Sequence, residues 1–273
     1  MKYIDAHAHL NFEAFDEDRE DIIADMQEQG AGVINVGIDV ETSAESIALA
    51  KEHDHIWASV GCHPTEVSGD FDIDPYRGLI EKDPESVVAV GECGLDYFRS
   101  ADRGDREKSQ QRAAFEAQIE LAITADLPLI LHLRPQSGSM DAYSQGLEIL
   151  EYYSHQAGAK LCGTAHFFVG DKDIAARFLD IGFYISATGV LTFDKRLQNI
   201  FADLPTDHLL VETDAPFAAP QPHRGRRNTP LYVPDIISTL ATLKGTTAAE
   251  LGPKLVSNTQ RLFRNCLKSR VES

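Results

Sequence analysis

Near the amino end, Tyr3-Ile4-Asp5-Ala6-His7-Ala8-His9-Leu10 sets two imidazoles one residue apart. Side chains alternate between faces along a strand, so His7 and His9 project to one side, about 7 Å apart along the backbone. A neutral imidazole binds a divalent cation through a ring nitrogen, and two on one rigid strand lose little entropy when the ion arrives. Alone, such a pair is equally well explained by hydrogen bonds to loop backbone. Partners of the right type follow: His63 in Gly61-Cys62-His63-Pro64, Glu92 and Asp96 in Gly91-Glu92-Cys93-Gly94-Leu95-Asp96, then His132, His166 and Glu212-Thr213-Asp214. Each stands at the end of a short apolar run. A strand buried on both faces should be nearly all apolar, and each unpaired buried polar group costs several kcal/mol. Satisfied core polarity is therefore a poor explanation for so many ligand types at strand ends, and a metal centre is the better one.

Four histidines with a Glu and an Asp exceed the needs of one tetrahedral ion and suit two divalent cations sharing a carboxylate, with Glu92 as the bridge. Asp214 is expected to bind one ion and accept a proton from a metal-activated water. Nitrogen and oxygen ligands without thiolate suit zinc or manganese, and magnesium if carboxylates dominate. Other residues read more plainly. His53 and His55 fall before the third run, on the opposite rim, and are expected at the surface; His155 and His208 are peripheral. Cys93 alternates away from Glu92 into the core. Asp5 and Asp96 are expected either to orient a histidine or to bond backbone amides.

The elements that must carry these groups are eight apolar runs: Lys2–Asp5, Val33–Ile38, Ile56–Val60, Val87–Val90, Leu129–His132, Lys160–Ala165, Phe183–Ser186 and Leu209–Thr213. Between them lie stretches with helical spacing, at Arg19–Gln29, Ser43–Glu52, Glu107–Ala125, Ala142–Gln156, Asp171–Asp180 and Asp194–Phe201. Helices at Val233–Leu243 and Val256–Leu267 end the chain, with a cap-like start at Thr246–Glu250. Strand and helix alternate throughout, which predicts α/β architecture with a parallel sheet. Eight units, with no GxGxxG after the first strand, predict a closed (βα)8 TIM barrel, residues 1–273 as a single domain, rather than an open doubly wound sheet. The candidate ligands then share the carboxyl rim, where such barrels keep their chemistry. The longest loops, Phe98–Arg106 and Arg134–Tyr143, face the same way.

In 273 residues, 43% hydrophobic and 25% charged content is that of a folded globular chain. Cys62, Cys93, Cys162 and Cys266 form no CxxC pair, so neither a zinc–thiolate site nor a disulfide framework is expected. No apolar run approaches the roughly 20 residues that cross a bilayer, and no leader pattern opens the chain. A cytoplasmic location is expected, with no membrane association and no stable protein partner. A net charge of −18 argues against a broad basic face for nucleic acid but leaves a nuclease possible, because cations in the centre reverse the local field. Acidic residues such as those from Asp16 to Asp25 are expected on a solvated face.

The chain resembles the TatD family of metal-dependent hydrolases, within the amidohydrolase-like barrels. The likeness lies in Asp5-Ala6-His7-Ala8-His9-Leu10, Val60-Gly61-Cys62-His63-Pro64, Val90-Gly91-Glu92-Cys93-Gly94-Leu95-Asp96-Tyr97, and Glu212-Thr213-Asp214-Ala215-Pro216 leading into Pro222-His223-Arg224-Gly225-Arg226-Arg227-Asn228. It implies a first ion held by His7, His9, Glu92 and Asp214 and a second held by Glu92, His132 and His166. It also implies that His63 faces the scissile phosphate and that the Arg224–Asn228 turn lies near the centre. Departures fall in the loops: Leu133–Ser139 is reshaped, and Phe167-Phe168-Val169-Gly170 stands where the family tends to read Cys-Phe-Ser-Gly.

Three functions are open. The first is hydrolysis of phosphodiesters by a deoxyribonuclease with 3′-5′ exonuclease activity on DNA ends or single strands, as the resemblance implies. There Glu92, His63 and Asp214 would be catalytic, and Arg134 or Arg224 would neutralise charge in the transition state. The second is hydrolysis of carboxylic esters or amides, including D-aminoacyl-tRNA deacylation, which the acidic surface favours slightly. The third is a metal-binding module without turnover. Trp57, Phe167 and Phe168 are assigned no role, since aromatics at strand ends are more often core.

Overall fold

Strands that carry Val, Ile and Leu on both faces must be covered on both, and the chain meets this by closing its sheet on itself. The structure is a computed structural model and describes residues 1–99 and 104–263. Its eight parallel strands follow one another in sequence order round one sheet. They are β1 (Tyr3–Ala8), β2 (Ala31–Val36), β3 (Ile56–Val60), β4 (Val87–Asp96), β5 (Leu129–Arg134), β6 (Gly163–Ala165), β7 (Tyr184–Ala187) and β8 (Leu209–Val211). After β8 the chain stays extended beside β1: Asp214 N donates to His7 O at 2.9 Å and His9 N to Ala215 O at 2.8 Å. That seam nearly closes the (βα)8 barrel, a single domain.

The outer layer comprises α1 (Arg19–Gln29), α2 (Val40–Glu52), α3 (Asp74–Lys82), α4 (Gly104–Ala125), α5 (Asp141–Ala157), α6 (Lys172–Asp180), α7 (Lys195–Asp203), α8 (Val233–Leu243) and α9 (Ala248–Leu262). Reciprocal capping boxes start α2 at Asp39 with Thr42 and α9 at Thr247 with Glu250. Along α1, Ile22, Ile23 and Met26 are buried while Asp16, Glu17, Glu20, Asp21 and Asp25 face solvent, the expected solvated face.

Three elements differ from the sequence reading. α3 was not expected, because Asp74–Lys82 is short and buries only Tyr76 and Ile80. The final helix starts earlier than Val256: the Thr247 capping box and the burial of Leu251 and Leu255 carry it through Gly252-Pro253, while residues of the expected Val256–Leu267 span beyond 263, Cys266 among them, lie outside the described residues. β4 runs past Val90 to Asp96, keeping register with β5 through Gly94↔His132 and Asp96↔Arg134. Gly91 and Gly94 hide that continuation, since they interrupt the apolar run. They take φ of 141° and 142°, and a Cβ at either would strike the carbonyl oxygen of Ile130 or His132 on β5. Only glycine lets these strands approach so closely.

His55 also departs from expectation. It is 9% exposed, and its Nε2 lies 3.2 Å from the Ile23 carbonyl of α1, so it fastens a helix to the barrel. His53 is half-buried, while His155 is exposed and His208 half-buried, away from the carboxyl rim. Trp57, Phe168 and Cys93 are core.

Candidate metal centre

β1 delivers His7 and His9 to the carboxyl rim from inside the strand and just past it. His9 is fixed by Nδ1 donating to the Val36 carbonyl of β2 at 2.9 Å, which leaves Nε2 facing inward. Four side chains from β1, β4 and the segment after β8 converge there. His7 Nε2 and His9 Nε2 lie 3.1 Å apart. Glu92 Oε2 is 3.3 Å from His7 Nε2 and 3.7 Å from His9 Nε2, and Asp214 Oδ1 is 3.7 and 3.6 Å from the same atoms. Ligands about 2.1 Å from a tetrahedral ion stand about 3.4 Å from one another, so these spacings suit one cation at the middle. Two imidazole nitrogens turned toward each other and toward two carboxylates form a donor set of the type that holds a divalent cation.

The other oxygen of Glu92 faces a different set. Oε1 is 2.6 Å from His132 Nδ1, 3.6 Å from His166 Nε2 and 3.7 Å from His63 Nε2. Glu92, His132 and His166 could hold a second cation; so could His63, Asp96 and His132, grouped just as closely. All six residues proposed as ligands from sequence therefore meet in one place, and Glu92 turns one oxygen to each set. Asp214 Oδ1 is also 3.8 Å from His166 Nε2, joining the two.

Supporting groups fix these side chains from neighbouring strands. His132 Nε2 is 3.1 Å from Asp96 Oδ2, whose Oδ1 accepts from Arg99 N at 2.7 Å. Asp5, the other ambiguous carboxylate, bonds backbone: it accepts from His7 N and Thr213 N and, at 2.5 Å, from Thr213 Oγ1, riveting β1 to β8. Burial pushes Asp5 up to about 8 against those bonds. Glu212, which the sequence places among the strand-end carboxylates without a role of its own, supports a histidine. It is fully buried, its Oε1 lies 2.7 Å from His166 Nδ1, and it accepts from Phe167 N at 2.7 Å. The signal was a carboxylate two residues from Asp214, hence on the same strand face but deeper.

Burial would push Glu92 up, but His166, His7, His63 and the His132 hydrogen bond outweigh it and hold the carboxyl well below its ordinary value. Burial, then His132, pushes His63 down to about 3, so its imidazole is neutral. His63 Nδ1 is held by Thr65, 2.7 Å from its hydroxyl and 3.2 Å from its backbone N, which leaves Nε2 facing the cavity.

Arg134 lines the cavity above these groups, as do Arg99 and Phe217, which the sequence reading did not single out. Arg224 does not. It is exposed on the outer rim with its guanidinium 3.9 Å over the Phe193 ring, because the turn that carries it is drawn outward: Arg227 pairs with Asp18, and the two rings of His223 and Tyr232 stack at 3.6 Å. The part of that turn that reaches inward is Asn228, which donates to the carbonyls of Thr213 and Phe217.

The TatD-related DNase family model matches residues 4–264. The chain belongs to the TatD family. A Bacillus subtilis relative, the uncharacterized metal-dependent hydrolase YabD, is 35% identical over 264 residues, covering 95% of this chain and 98% of its own. A Pectobacterium carotovorum relative named 3′-5′ ssDNA/RNA exonuclease TatD is 30% identical, covering 95% and 98%. The crystal structure of YjjV, a TatD homologue from Escherichia coli, superposes with a TM-score of 0.85 at 29% identity, covering 96% of this chain and 98% of that one. The protein is thus a metal-dependent hydrolase of the TatD family with its barrel fold. The centre holds His/Asp/Glu groups arranged to bind metal.

Proposed function

We propose that this TatD-family hydrolase cleaves phosphodiester bonds at single-stranded nucleic-acid ends, as a 3′-5′ exonuclease with a deoxyribonuclease's substrate range. It would use two divalent cations, magnesium, manganese or zinc, one held by His7, His9, Glu92 and Asp214 and one by Glu92, His132 and His166. The observation that carries this reading is the division of Glu92, with Oε2 turned to the His7–His9 pair and Oε1 to His132 and His166. Bound there, divalent cations supply Lewis acidity at the phosphoryl oxygen and acidify water. The chain's own residues do the rest. Asp214, 8% exposed and lining the cavity, accepts the nucleophile's proton on its carboxylate. Neutral His63 turns its Nε2 toward the phosphoryl group, and Arg134 at the mouth balances developing charge. Phosphodiesters are favoured over carboxylic esters by the two guanidinium groups, Arg99 and Arg134, on a chain of net charge −18, and by the exonuclease name of one relative.

The acidic surface favours a second reading, hydrolysis of a carboxylic ester or amide such as a D-aminoacyl-tRNA, which needs no basic footprint. A labelled single-stranded oligonucleotide and an aminoacyl ester, tested with the same metal supplement, separate the two. Asp214→Asn and Glu92→Gln are expected to abolish turnover of the true substrate while the fold survives. Near-wild-type turnover by either variant with metal in excess refutes the assigned roles.

A further inference from the structure

Outside the metal cluster, the side chains lining the roughly 500 Å³ cavity separate by chemistry across the barrel mouth. On the β8–β1 side stand two phenylalanines. The Phe12 ring stacks on His9 at 4.5 Å and 12°, and Phe217 meets both edge-on, 6.4 Å from Phe12 and 6.3 Å from His9. Phe217 is 51% exposed, yet it is not loosely held. Its N donates to Asp214 O at 2.8 Å and its O accepts from Asn228 Nδ2 at 2.6 Å. Arg19 braces the loop beneath Phe12, donating to the carbonyls of Leu10, Asn11 and Phe12. A fixed aromatic face is therefore kept in water three residues from Asp214.

The opposite side, after β4 and β5, is cationic. Arg134 lies 4.2 Å over the ring of Phe98, itself 49% exposed, and Arg99 lines the cavity beside it. Neither guanidinium is in an ion pair among the described residues, whereas Arg19, Arg77, Arg112, Arg177, Arg196 and Arg227 all are. Strand order in the barrel sets β4–β5 across from β8–β1, with the metal cluster between.

We propose that Phe217, backed by Phe12, is a stacking shelf for the nucleobase at the strand terminus, and that Arg134 and Arg99 hold the scissile phosphate and the next one inward. This rests on the phosphodiester reading and gives that substrate a direction: the terminal base lies on the β8–β1 side and the strand leaves over β4–β5. Stacking requires an exposed base face, so the terminus must be unpaired. Every base offers such a face, so discrimination among bases is weak. Among the described residues Arg134 and Arg99 are the only Lys or Arg side chains that line the cavity, so affinity stops rising once the second phosphate is in place. The salt dependence is correspondingly shallow, with a log–log slope of about −1.4 for two phosphate contacts on a single strand.

The test uses manganese-loaded protein and 5′-labelled oligothymidylates that differ only in whether the terminal residue carries its base or is abasic. Phe217→Ala is expected to raise KM on the intact terminus about 5- to 150-fold, the range of one base–aromatic stack, with a far smaller effect on the abasic one. Phe217→Trp should restore the intact-terminus KM. Arg134→Ala should raise KM on both termini and reduce the salt slope by about 0.7. Equal effects of Phe217→Ala on the two termini, or no effect on either, overturn the shelf while leaving the phosphodiester reading standing. Wild-type protein that binds manganese and cleaves neither oligonucleotide overturns that reading, and the shelf with it.

Discussion

Glu212→Gln isolates what a buried carboxylate contributes to a histidine it does not share with substrate. Glu212 is fully buried, 2.7 Å from His166 Nδ1, and accepts from Phe167 N. Glutamine keeps the volume and an acceptor oxygen for both donors, so the ring stays in place with Nε2 turned toward Glu92. What is lost is the charge. A hydrogen bond to an ionised group contributes about 1.5–3 kcal/mol and a neutral one about 1 kcal/mol, so the change costs His166 about 0.5–2 kcal/mol of ligand strength. That corresponds to about a 2- to 30-fold weaker cation, overlapping the lower part of the 10- to 100-fold range usual for partners of metal-bound histidines. The loss should fall mainly on the site that His166 serves, because Glu212 Oε1 lies 2.7 Å from His166 Nδ1, while His7 meets Glu212 only within the wider His7–His166–Glu212 grouping. Calorimetric titration of metal-free protein with Mn2+ resolves this: two binding events in the parent, with only one weakened in Glu212→Gln. Unchanged affinities at both sites, or an equal loss at both, would refute the division of the centre into two sets joined by Glu92.

Other outcomes follow from the same geometry. Adding Mn2+ at about 100 times Kd to chelated protein should stabilise it by about 2.7 kcal/mol per site, or about 5–10 °C in Tm for a chain of this length; an unmoved melt counts against a preformed centre. Gly94→Ala would press a Cβ against the His132 carbonyl at a φ of 142°, so it should displace the imidazole and lower kcat by about 100-fold. Gly182→Ala, also at positive φ (78°) but with nothing within 4 Å, should cost stability alone, which melts and steady-state kinetics together would show. Hydrogen bonds from Thr246 and Thr247 hold the exposed Glu250 carboxyl at about 2, below its unfolded value near 4.5. Its contribution to stability is therefore present above pH 4.5 and lost as pH falls toward 2. The Tm difference between the parent and Glu250→Gln should close over that window, and a gap that stays constant would sink the assignment.

Strand ends were legible in the sequence because His, Glu and Asp at the end of an apolar run have no cheap explanation. Two helix spans were legible from their apolar spacing, as Arg19–Gln29 and Val233–Leu243 match α1 and α8 residue for residue. Three kinds of information were not. Glycines with positive φ look like breaks, so Gly91 and Gly94 concealed that Glu92 and Asp96 lie inside a strand rather than beyond one. A carboxylate deeper in the barrel, such as Glu212, cannot be told from a ligand by type; only its distance from His166 separates the roles. Arginines in a loop carry no direction either: Arg134 and Arg224 have equal claims in sequence, and packing alone places one over the cavity and the other over Phe193.

The centre and the mouth are built on different parts of the barrel, and that division bears on how one scaffold serves different substrates. Three of the candidate ligands are tied to a neighbouring strand or its extension: His9 to Val36 of β2, His132 to Glu92 and Asp96 of β4, and His166 to Glu212 beyond β8. Moving any one of them means breaking a bond between adjacent strands in a fully packed barrel, so the cluster inherits the rigidity of the sheet. The groups proposed to meet substrate are held chiefly by nearby segments: Phe12 by Arg19, Phe217 by Asp214 and Asn228, Arg99 by Asp96. Phe12, Arg99 and Phe217 sit past strand ends, on backbone that can change without disturbing the register below, while Arg134 ends β5. The reshaped segments after His132 and His166 are of this kind, and both lie at the mouth. Divergence in this family should therefore alter KM and substrate choice before it alters metal affinity. Exchanging the 135–140 loop for that of the exonuclease relative should shift the first pair of quantities and leave Mn2+ binding within about threefold of the parent, and a large loss of metal would show that loop and centre are one structural unit.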